Sequence, residues 1–124
     1  MEPTDIAVGL GRGRIAIGVI SLLAPQLVGR VITGAEPSGA GTTLFARMVG
    51  ARDIGLGLGL LIALDRGASV RGWLEASAVV DGFDAAACLL ARDHVRTSLV
   101  PGITGLAASG ALLSAWLSRQ LDSD

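Results

Sequence analysis

The chain has no lysine; all ten of its basic residues are arginine. It also has a single cysteine, a single histidine and few aromatic residues, 3% in all. Each shortage excludes something. Cys88 alone permits no intrachain disulfide and is expected to be a small packing residue. With His94 as the one histidine, expected to be a solvated loop residue, no transition-metal cluster is expected and no cofactor is implied. Without lysine, the glycine-rich stretch 34–44 is no Walker-type phosphate loop, which holds its phosphates with Lys before Ser/Thr. The glycines at Gly9, Gly11 and Gly13 fail the dinucleotide fingerprint, because Arg14 stands where its last glycine belongs. The net charge of −1 gives no basic footprint for nucleic acid. Glu2 and Asp5 precede the first arginine, which fits a cleavable signal peptide poorly.

What is present is apolar and small. Of 124 residues, 51% are hydrophobic and 18 are glycine, with mean hydropathy +0.61, and the length suits one domain, residues 1–124. Small residues let helices approach closely in lipid, where packing rather than water expulsion drives association. Lysine-free, Ala/Gly/Arg/Val-rich usage often reflects a GC-rich genome, so a bacterial source is expected, with actinobacteria among the candidates.

Four apolar segments can be marked: Ile6 to Ile32, Thr43 to Leu64, Gly72 to Ala91 and Ser98 to Leu117. Each approaches the roughly 20 residues that a helix needs to cross the hydrocarbon core. Pro25 is expected to kink the first. Thr42 and Thr43 are candidate caps for the second, and Ser98 with Pro101 opens the fourth. Short polar connectors make successive helices antiparallel neighbours. The expected fold is all-α, a four-transmembrane-helix up-down bundle with short loops. A soluble four-helix bundle is the rival, but Ile54-GLGLGLLIA-Leu64 has no polar face for water. Trp73 and Trp116 fall at segment ends, on the side of the termini, and suit the lipid–water boundary. Arg12, Arg14, Arg66, Arg71 and Arg119 on that side, against Arg30, Arg92 and Arg96 on the other, favour cytoplasmic termini.

The charges inside these segments carry the most information. A carboxylate at mid-bilayer costs roughly 2.5–3.5 kcal/mol on insertion scales, so it is kept where it has a partner or a task. Asp81 and Asp84 are three residues apart on one helical face. Antiparallel packing of the second and third segments brings residues near 53 and 82 to similar depth, so Arg52 can face Asp81 or Asp84. The expected intramembrane network is Arg47, Arg52, Asp53, Asp81 and Asp84, with Arg12 and Arg14 supplying further positive charge. Arg52 and Asp53, at about 100° per residue, diverge and need not pair with each other. Gly55 and Gly59 form a G-x-x-x-G strip expected to support helix packing. No serine among Ser77, Ser109 and Ser114 is marked as a nucleophile, so no catalytic site is expected.

The stretch Arg47-MVGARDIGLGLGLL-Ile62 resembles a family of small four-helix integral membrane proteins, frequent in actinobacteria and catalogued as a domain of unknown function. Its Arg-x-x-Gly-x-Arg-Asp-x-x-Leu-Gly pattern is met by Arg47, Gly50, Arg52, Asp53, Leu56 and Gly57. Asp81 meets a recurrent acidic position, and Arg14-IAIGVISLLAP-Gln26 fits the usual opening. The resemblance implies a four-helix membrane fold and no activity. The function expected is that of an accessory or assembly subunit in the bacterial inner membrane, its partners being lipid, other membrane proteins or itself. The alternative is a small ion- or proton-coupled transporter, or a lipid-binding module, that uses the Arg/Asp network.

Overall fold

A computed structural model describes residues 1–33, 39–94 and 98–121, with the side chains of residues 32, 33 and 94 outside that description. The chain is all-α: α1 (Pro3–Leu23), α2 (Pro25–Thr33), α3 (Ala40–Asp65), α4 (Arg71–Leu90) and α5 (Val100–Gln120), with one 3-10 turn at Arg92–His94. No strand occurs among the described residues.

The first apolar segment is two helices rather than one kinked helix. Pro25 has no N–H to give the carbonyl four residues back, and its ring crowds that carbonyl. The residue before a proline is pushed out of the helical region, and Ala24 sits at φ −129°, ψ 58°. Pro25 then opens α2, where a missing N–H costs nothing. Helix starts shift as well. Gly39, at φ +115°, makes the entry to α3, so Thr42 and Thr43 lie inside the first turn rather than capping it. Leu99, not Ser98, occupies the N-cap position of α5, with Pro101 in its first turn as expected. At the other end of α3, Ala68 N–H bonds Ala63 O at 2.9 Å and Gly67 N–H bonds Leu64 O at 3.2 Å. This closing motif needs a left-handed residue, and Gly67 supplies it at φ +59°.

Two antiparallel pairs make up the body. α1 lies along α3, and α4 lies along α5. The α1–α3 seam is built on glycine. A Cβ on Gly18 would come within 2.5 Å of Gly50 O, and one on Gly57 within 2.5 Å of Gly11 O. These glycines are seven apart on each helix, so they share a face and bring the two backbones together. The strip expected at Gly55 and Gly59 is not this seam. Gly55 faces open space, and Gly59 lies under the indole of Trp73. The pairs join at the end holding the α3–α4 turn, where Ala7, Leu60, Ala63, Val70, Leu74 and Leu117 form the apolar core.

Outside that core, polarity is reversed. Leu23, Phe83, Leu90, Leu106 and Leu112 are each more than 70% exposed, while Arg14, Asp53, Ser77 and Ser114 are buried. Two helices are long and apolar enough to cross a membrane among the described residues, α1 and α5. α3 carries Arg47, Arg52, Asp53 and Asp65, and α4 carries Arg71, Glu75, Asp81 and Asp84, more charge than the apolar stretch of α1 or α5 holds.

Candidate functional site: a buried arginine–aspartate network

Three helices each bring charge to one place at mid-length. Arg14 stands on α1 between Gly11 and Gly18, and Asp53 stands on α3 between Gly50 and Gly57. The spacing, Gly-x-x-charge-x-x-x-Gly, is the same on both helices. The glycines draw the backbones together, and the charges meet in the middle of the seam. Arg14 Nη1 donates to Asp53 Oδ1 at 3.2 Å, and Arg14 Nη2 reaches α4, donating to Asp81 Oδ2 at 2.5 Å and to Ser77 O at 3.4 Å. One guanidinium thus ties α1 to both α3 and α4. A planar fork with several fixed donors can do this; an ammonium has no such fork.

Arg52 makes the second bridge. Its Nη1 and Nη2 donate to Asp84 Oδ1 and Oδ2 at 3.1 and 2.8 Å, a two-pronged pair. Its Nε and Nη2 also donate to Asp53 Oδ1, at 3.3 and 3.2 Å. Neighbours in sequence therefore do pair here, against the expectation from helical angle. The arginine side chain is long enough to fold back along the helix, so the direction of its Cα–Cβ bond does not decide its partner.

The remaining expectations sort as follows. Arg52, Asp53, Asp81 and Asp84 come together, and Arg52 faces Asp84. Arg47 does not join them. It is exposed, and its Nε donates to Leu22 O at 3.3 Å, in the last turn of α1. Pro25 removes one of the donors that would continue that helix, and a cation is favoured at a helix C-terminus. Arg12 is exposed, whereas Arg14 is the hub of the network and so is no loop charge for orientation. The side chain of His94 and the whole of Arg96 lie outside the described residues. Cys88 is half-buried on α4.

Arg14 is the residue whose weight sequence reasoning missed. Its signal was the matched spacing of Gly11, Arg14 and Gly18 with Gly50, Asp53 and Gly57.

α5 completes the enclosure without charge. The Asp81 carboxylate packs over Gly110, where a Cβ would lie 2.7 Å from Oδ2. Ser77 Oγ, Ser114 Oγ and Arg14 Nε are buried with no hydrogen-bond partner. Among the described residues, no group of three or more His, Cys, Asp or Glu is arranged to hold a metal ion. No protein-family model, curated protein or solved structure matches the chain.

Proposed function

We propose that the chain is a four-pass helical protein of the bacterial inner membrane, with cytoplasmic termini and no catalytic activity of its own. It serves as an accessory or assembly subunit of a larger membrane complex. One observation carries the reading: the charges turn inward and pair, while the large apolar side chains turn outward. In water that arrangement exposes apolar surface far beyond the scattered residues of an ordinary surface. In lipid it is the favourable one, since ionisable groups within spans face the bundle interior and pair there. The charge carried by α3 and α4 fits this reading, because Arg52, Asp53, Asp81 and Asp84 present paired rather than free charge inward. The likeness to the four-helix membrane family, through Arg47, Gly50, Arg52, Asp53, Leu56 and Gly57, is part of the proposal.

The subunit role rests on α5. It buries less of its apolar stretch than α1 does and leaves Leu106 and Leu112 uncovered, an open face for a neighbouring helix. Gentle extraction from native membranes followed by native mass spectrometry tests it. A heteromeric mass supports the role, and a lone stable species counts against it. A second reading, a small proton- or ion-coupled module, is favoured by the unequal number of carboxylates and guanidiniums in the network.

A further inference from the structure

α1 carries a second arginine at mid-length that the bundle does not use. Arg12 is exposed, and among the described residues its side chain makes no hydrogen bond or ion pair. At 1.5 Å per residue it stands roughly 13 Å from Pro3 and roughly 16 Å from Leu23, the two ends of the helix. In the proposed membrane placement that is the middle of the hydrocarbon core, further from either surface than an arginine reaches by snorkelling. Ionisable groups within spans persist by pairing. Arg12 at this depth calls for a carboxylate.

The surface around it is shaped to receive a helix. Gly9, Arg12, Gly13, Ala16, Ile17 and Ile20 are all exposed, at the three- and four-residue steps of one helical face. A Cβ on Gly9 or Gly13 would meet nothing. Gly9-x-x-Arg12-x-x-x-Ala16 repeats the inner spacing of Gly11, Arg14 and Gly18, displaced by two residues and with alanine for the last glycine. Two residues turn a helix by about 200°, so the repeat lies on the opposite side of α1. The inner set receives the backbone of α3 and pairs its arginine with Asp53. The outer set offers a neighbouring backbone the same close approach.

The chemistry of the occupant follows. Lipid chains suit Ile17 and Ile20 but bring Arg12 no charge, and headgroups stand too far away. A second copy brings no unengaged acid. Asp53, Asp81 and Asp84, the carboxylates at this depth among the described residues, each accept from an arginine of their own chain. We propose that the outer face of α1 docks a transmembrane helix of a different protein, which brings an Asp or Glu at mid-span to Arg12. This inference rests on the proposed role as a membrane subunit and adds a docking face to it, separate from that of α5.

The test extracts the full chain and its variants gently from native membranes and weighs them by native mass spectrometry. The native chain gives a heteromeric mass, and Arg12→Gln and Ala16→Leu each lose it. Both variants keep the melting temperature of the purified chain, because neither side chain is packed into the bundle. A photo-reactive residue at position 16 crosslinks to a helix of another protein with an Asp or Glu at mid-span, and changing that acid to its amide also loses the heteromer. A heteromeric mass that persists in both variants overturns the α1 face and leaves the subunit role standing. A crosslink to a second copy of this chain, or to lipid alone, overturns the foreign helix. A native chain that proves a lone species defeats the subunit role itself, and this proposal with it.

Discussion

The two helix pairs solve the same packing problem in different ways. Along α1–α3, four glycines remove the side chains between the backbones, and a charged pair, Arg14 and Asp53, sits buried at the centre of the contact. Along α4–α5, the buried residues are Leu74, Ser77, Ser114, Leu117 and Ser118, and the buried hydroxyls of Ser77, Thr104 and Ser114 have no partner. The first seam is fixed by shape and by directional bonds together. The second is held mainly at the end near the apolar core, and reaches the first through Asp81 and Asp84. The network is therefore the clasp between the pairs, and α5 buries less of its apolar stretch than α1 does.

The sharpest way to break that contrast is Arg14→Gln. It removes the hub, leaves Asp81 without its cation and leaves Asp53 with Arg52 alone, and loss of one partner from a buried ion pair costs roughly 3–5 kcal/mol. Thermal unfolding in detergent should show that loss, and Asp81→Asn combined with it should recover part of the deficit. Gly18→Ala comes next. Its Cβ would meet Gly50 O and Ile54 N, backbone atoms that give way only if the helices part, so a cost of about 1–3 kcal/mol is expected by the same measurement.

These two substitutions also mark what the sequence made legible. The apolar runs announced the helices, since their length and the lack of a polar face are one-dimensional facts. The ends moved where a local rule intervened: Pro25 split the first run, and Gly39 set the start of α3 earlier than the threonines did. The charges were legible as a group, and so was Arg52 opposite the Asp81/Asp84 pair; the partners of Arg14, Arg47 and Asp53 were not. Which charges meet depends on how each helix is rotated about its axis, and the close-contact glycines set that rotation. Gly55 and Gly59 carry the familiar four-residue spacing, yet the seam uses Gly50 and Gly57 with Gly11 and Gly18. A seven-residue spacing flanking a charge was the better guide. Arg47 was misread because an arginine in an apolar segment has a second use, at the carbonyls of a helix interrupted by proline.

Arg47→Gln sharpens that last point. It should cost about 0.3–1 kcal/mol, the usual worth of a cation at an exposed helix C-terminus, and leave the Arg14 network intact. The smallest effect belongs to Gly55→Ala. Its Cβ meets nothing, so helix propensity alone acts, and a gain of up to about 1 kcal/mol is expected. A marked loss instead would mean that Gly55 lies against another chain in the membrane.

The central claim is that the outer surface of this bundle faces lipid and its charges face inward. A nitroxide spin label at Leu112, 74% exposed and well inside α5, in a Cys88→Ser background, tests it most directly. In a lipid-embedded bundle, the label collides readily with dissolved oxygen and rarely with a water-soluble nickel complex. Frequent collisions with nickel and few with oxygen would put that face in water and contradict the account.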